Sequence, residues 1–87
     1  MTLLRGLVRK LKLVEIEWQD IEEHAGWQEV DQRPLVILKS YGLLVSKTRW
    51  HITIANCYDP ETTNFSGVHK YPKGCILNMR VIEVIKF

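Results

Sequence analysis

The chain has 87 residues, 46% hydrophobic and 25% charged, the make-up of an ordinary globular domain rather than a disordered segment. That length suits one domain spanning 1–87, with a thin core, because a chain of this size buries only roughly 60–65% of its unfolded surface. The formal net charge of +2 is too small to imply a polyanionic partner by itself.

The distribution of charge is more informative. Residues 1–13 hold Arg5, Arg9, Lys10 and Lys12 without an acid, whereas 15–31 hold seven acids without Lys or Arg. Two such stretches can pair within a subunit, pair between subunits, or stay solvated, and surface ion pairs contribute little. Leu3, Leu4, Leu7, Val8 and Leu11 fall at helical spacing among the cations, so 1–10 reads as a basic amphipathic arm and short helix. Gly6 weakens that helix by about 1 kcal/mol relative to alanine. Leu3, Leu4, Leu7 and Val8 are its candidate contacts with a partner or a second copy. Its apolar runs are too broken for a signal or membrane segment.

From residue 11 the period changes to two. Val14, Ile16 and Trp18 alternate with Glu15, Glu17 and Gln19, which predicts a first strand over 11–18 with Glu15 and Glu17 on a solvated face. The polar stretch 19–33 reads as a long loop pinned by Trp27. A second strand begins after Pro34 with Leu35–Leu38 and continues over 41–46, where Gly42 marks a bulge or strong bend. Lys47-Thr48 is a candidate tight turn. Arg49–Asn56 follows with the cleanest alternation: Trp50, Ile52 and Ile54 toward a core, His51, Thr53 and Ala55 on the other face. The two strands form an antiparallel hairpin.

Residues 58–74 carry Pro, Gly, Asn, Ser and Thr and read as a long connection. A 3₁₀ turn after Pro72 would place Ile76 against the end of the barrel, and Cys75–Ile85 is the last strand. The expected fold is mainly all-β: an SH3-like or Sm-like barrel of about five strands over 11–87, since closure removes exposed edges. An open sheet half covered by the N-terminal helix is the other solution.

No catalytic constellation is legible. Nucleophilic catalysis needs Ser, Cys or Thr held beside an oriented base. No glycine elbow surrounds Ser40, Ser46 or Ser66, and neither cysteine shares a local signature with His24, His51 or His69. Cys57 and Cys75 read as small buried hydrophobes in a reduced, cytoplasmic protein, although spacing alone leaves open a bridge between them. There is no CxxC or HxxxH pair for zinc; a set of His51, Cys57, His69 and Cys75 is the one combination that flanks a single loop. The isolated Gly67 and Gly74 make no phosphate cradle. No metal, cofactor, membrane or small-molecule substrate is expected. A nucleic-acid surface would draw on Lys47, Arg49, His51, Lys70, Tyr71, Lys73 and Arg80, which come from the hairpin turn, the long loop and the last strand.

The succession IEWQD (16–20), Gly26-Trp27, SYGLLV (40–45), HITIAN (51–56) and YPKGCILNMRVI (71–82) resembles small uncharacterised bacteriophage and prophage proteins. Those share Trp-x-Asp, Gly-Trp, Ser-x-Gly, Ile-x-x-Ala and a Pro-led end with spaced isoleucines, one of which is Met79 here. The resemblance implies a phage-type origin, hence a host cytoplasm, and is silent on activity. The second half is also similar to an Sm-type arrangement, whose members form rings and bind RNA. This chain lacks the Asp and Asn of the first Sm motif, and no arginine precedes Gly74. The functional expectation is a non-enzymatic module acting on a protein partner or on itself as a homo-oligomer, with nucleic-acid binding as the alternative.

Overall fold

A computed structural model describes residues 9–20 and 36–87. It is all-β apart from one 3₁₀ turn. The strands are β1 (Lys10–Gln19), β2 (Ile37–Lys47), β3 (His51–Asp59), β4 (Asn64–Pro72) and β5 (Ile76–Lys86), with the 3₁₀ turn at Lys73–Cys75. They form one antiparallel sheet in the order β4-β3-β2-β1-β5. The sheet is not closed: β4 and β5 are its edges. The arm 1–8, with Leu3, Leu4, Leu7 and Val8, and the segment 21–35, with Trp27, lie outside the described residues.

β2 belongs to two halves of the sheet. Its first part, Ile37–Leu43, pairs with β1, and its last part, from Leu43 to Lys47, pairs with β3. The register shift of β2 falls between Leu44 and Ser46, whereas Gly42, expected to mark a bulge or bend, pairs in register with Val14. A Cβ there would stand 2.9 Å from the Ala55 carbonyl oxygen and 3.2 Å from the Ile54 side chain, so only glycine admits this approach. The core joins β1 to β3. Val14 and Ile16 meet Ile52 and Ile54 in the core, and Trp18, Leu44, Tyr71, Ile76 and Met79 close around them. Each fully buried aliphatic side chain contributes about 1.5–3 kcal/mol.

Several expectations change. Trp50 is not in the core: it is 70% exposed, because β3 starts at His51 and the reversing turn breaks the two-residue period before it. Thr53 and Ala55, expected on a wet face, are buried, so the middle of β3 is covered on both sides. The Thr53 hydroxyl has no hydrogen-bond partner among the described residues. The 58–74 connection contains a whole strand, β4. Being an edge strand, β4 tolerates Gly67 at φ +65° and Pro72 at its end, and those residues hid it. The β3–β4 turn is fixed by Asp59, whose carboxylate accepts the Glu61 N–H at 2.9 Å and whose carbonyl accepts the Thr63 N–H at 2.7 Å. Both bonds to the carboxylate from Glu61 and Thr62 keep the Asp59 carboxyl below its ordinary range.

The 3₁₀ turn after Pro72 and the last strand stand where the sequence put them, and Ile76 packs against the core. What the sequence did not show is that β5 is doubly bulged. Leu13 pairs with Glu83 but Val14 with Val81, and Glu17 pairs with Asn78 but Trp18 with Ile76. Ile82 and Leu77 are the extra residues, and both are exposed.

Candidate functional site

The ladder between β3 and β4 gathers most of the candidate cations at one end of the sheet. His51 faces Pro72, Ile52 faces Tyr71 and Thr53 faces Lys70. Lys47, at the end of β2, pairs with Ile52. The Lys73 N–H donates to the Trp50 carbonyl at 2.8 Å, which ties the 3₁₀ turn to the β2–β3 turn. Lys47, Arg49, His51, Lys70, Tyr71 and Lys73 therefore lie at one end of the sheet, with Lys47 and Tyr71 on one face and His51 and Lys70 on the other. Arg80 does not join them. It lies on β5, where its guanidinium donates to Glu15 Oε2 at 3.2 Å.

The β2–β3 turn is built by Thr48. Its hydroxyl accepts the N–H groups of Trp50 at 3.2 Å and His51 at 3.1 Å, and its own N–H donates to the His51 carbonyl at 2.8 Å. The backbone under Trp50 is thus held from both sides, while the indole stands in solvent. The Arg49 guanidinium lies 4.9 Å from the Trp50 ring centroid. Trp50 was not legible as a surface residue, because its alternation with Ile52 and Ile54 imitates a core position.

Beside this end is an open cleft of about 250 Å³ lined by Trp18, Gln19, Asp20, Lys70, Tyr71, Pro72 and Cys75. Its floor is an edge-to-face pair, Trp18 on Tyr71 with centroids 5.3 Å apart, and Trp18 Nε1 donates to Ser40 Oγ at 2.9 Å. The cleft is smaller and more open than typical small-molecule sites of roughly 300–1,000 Å³.

A second polar constellation lies on the other half. Glu15, expected on a solvated face, is buried to 8% exposure and accepts from Tyr41 Oη at 2.8 Å and from Arg80. The Tyr41 bond first, and Arg80 second, hold its carboxyl below the ordinary glutamate value. The same bond pushes the Tyr41 hydroxyl up. Both bonds converge on Glu15 Oε2, so the trio reads as a structural clamp between β1, β2 and β5.

Neither thiol matches its expected burial fully. Cys57 is exposed and Cys75 half-buried, and both are free, because Cys57 lies on β3 beyond the covered middle of that strand. Among the described residues no group of three or more His, Cys, Asp or Glu side chains could hold a metal ion, so His51, Cys57, His69 and Cys75 do not assemble. No helix among the described residues is long and apolar enough to cross a membrane. Exposed apolar side chains form two groups, Val36, Ile37, Leu38 and Tyr41 around the start of β2 and Leu77, Val81, Ile82 and Val84 on β5, and Val68 stands exposed on β4. No family model matches the chain, and no curated protein or solved structure matches it.

Proposed function

We propose that this chain is a non-enzymatic, self-associating β module: a bent sheet of the small-barrel, SH3-like or Sm-like type, whose two free edges pair between copies. The observation that carries this reading is the apolar β5 edge, on which Leu77, Val81, Ile82 and Val84 are each more than two-fifths exposed. Monomers usually blunt long edge strands with charge, proline or cover. On β5 the charges Arg80 and Glu83 interrupt the apolar row but do not replace it. The two bulges leave a regular stretch, Asn78–Val81, as the segment best shaped for another strand.

A second copy fits better than an unrelated protein, because each subunit offers two different edges of one sheet. Pairing β4 of one copy with β5 of the next satisfies both with a single contact type. Such a head-to-tail contact closes into a ring or runs on as a filament. The resemblance to phage proteins suits an assembly role in a host cytoplasm, and the sequence offers no nucleophile–base pair that would make it an enzyme.

The test is mass determination by light scattering over a concentration series for the full chain, for Val68→Lys on β4, and for Val81→Lys on β5. Head-to-tail pairing predicts assemblies for the natural chain and monomers for each variant alone. Mixing the two variants restores a dimer and nothing larger, because each supplies one intact edge. A natural chain that stays monomeric at every concentration overturns the proposal.

A further inference from the structure

We propose that the β2–β3 turn, with Trp50 at its tip, is a binding site for single-stranded nucleic acid, in which Trp50 stacks on a base and Lys47, Arg49, Lys70 and Lys73 meet the phosphates. The site does not depend on self-association.

Trp50 is the most exposed of the large hydrophobic side chains among the described residues, at 70%. An indole left in water forgoes the stabilisation that burial would bring, and nothing in the turn requires it there. Thr48 makes the turn through its hydroxyl, and the Lys73 N–H anchors the Trp50 carbonyl, so the backbone geometry is set without the ring. A rigid backbone under a solvent-facing aromatic is a preorganised stacking surface, with little ordering left to do on binding.

The surroundings select the ligand. Arg49 lies over the Trp50 ring at 4.9 Å, so the planar guanidinium extends the platform and brings a phosphate donor to it. Lys73 is tied to the turn through its backbone, Lys47 closes β2 immediately before the turn, and Lys70 stands on β4 beside Tyr71. The acid of the adjoining cleft is Asp20, against these four cations. Most other described acids are engaged or distant. Glu15 is taken up by Tyr41 and Arg80, and Asp59 and Glu61 form the turn at the opposite end of β3.

A cationic rim around an exposed aromatic is the arrangement that tracks a sugar–phosphate backbone while stacking unpaired bases. A duplex hides its base faces, so Trp50 would gain nothing from it. A lipid surface would want further apolar side chains around the indole, whereas its chain neighbours are Thr48, Arg49 and His51. RNA and DNA single strands share the recognised chemistry, and the experiment separates them.

The test is fluorescence anisotropy with labelled oligouridylate, oligothymidylate and a mixed-sequence duplex, over a salt series, using the full chain. Expected are binding of one or both single strands, weakening with salt, and weak binding of the duplex. Trp50→Ala should weaken single-strand binding about ten-fold or more with its thermal melt unchanged, and Trp50→Phe should recover most of it. Lys73→Ala should weaken all strands alike and lower the salt slope by about one. Three results overturn the proposal: no binding at low salt, binding that Trp50→Ala leaves intact, or equal affinity for duplex. Trp50-dependent binding to vesicles of anionic phospholipid without binding to either oligonucleotide also overturns it, in favour of a membrane contact.

Discussion

The two ends of the sheet both place an arginine on aromatic rings, and they use the pair in opposite ways. At one end Arg9 lies 5.6 Å from the Tyr58 ring centroid and 6.0 Å from that of Phe65. Tyr58 packs against Phe65 at 5.0 Å and against Phe87 at 4.9 Å, so strands β3, β4 and the residue after β5 are locked together. The Phe87 N–H donates to the Arg9 carbonyl at 2.9 Å and completes the knot. At the other end Arg49 lies on Trp50 alone, and the ring touches solvent instead of a second strand. The same residue chemistry is structural where several rings share it and available where one ring stands by itself. Arg80, the third described arginine, takes a carboxylate partner and clamps Glu15 between strands.

Both ends are carried by β3, which approaches β2 closely at Gly42, so the largest effect is expected from Gly42→Val. The added side chain would collide with the Ala55 carbonyl and Ile54, and we expect a loss of about 3 kcal/mol or more, read as a large fall in the denaturation midpoint. Phe65→Ala comes next. It removes a half-buried ring from the knot and should cost about 2 kcal/mol, less than the 3–5 of a fully buried phenylalanine. If it costs no more than Trp50→Ala, the distinction between the ends collapses.

The Glu15 clamp gives a pH-dependent test. The Glu15 carboxyl is held low in the folded chain, so it adds stability above its ordinary pKa, and that stability is lost as pH falls through the folded value. Tyr41→Phe removes the largest cause of the depression. The variant should be less stable at neutral pH, and its difference from the natural chain should shrink on acidification, measured by urea midpoints across the acid range. A difference independent of pH would mean that the hydroxyl acts by packing rather than on the charge. The smallest stability effect belongs to Trp50→Ala, expected within about 0.5 kcal/mol because the ring is solvated. A larger thermal shift would turn the open end into a second structural knot.

Strand content was legible wherever apolar and polar side chains alternate. Val14, Ile16 and Trp18 announced β1, although Glu15 between them is buried as well. The last strand and the 3₁₀ turn before it were legible from Pro72 and the apolar run. The candidate site was legible only as a list of basic residues and one tyrosine. Six of these seven lie at one end of the sheet, and His51, Lys70 and Tyr71 do so through the β3–β4 ladder, a strand pair the sequence concealed because edge strands tolerate Gly67 and Pro72.

By itself, then, the amino-acid order determined that the chain is β, because the alternation of side chains is a local property of the backbone. Tertiary structure decided the rest. Trp50 and Ile52 share one alternation, yet one lies in solvent and the other in the core, because the turn held by Thr48 falls between them. Glu15 and Glu17 share another, yet only Glu15 is clamped, because its register across from Tyr41 and Arg80 comes from two partner strands far away in sequence. Burial is a property of what folds over a residue, and no single strand carries that information.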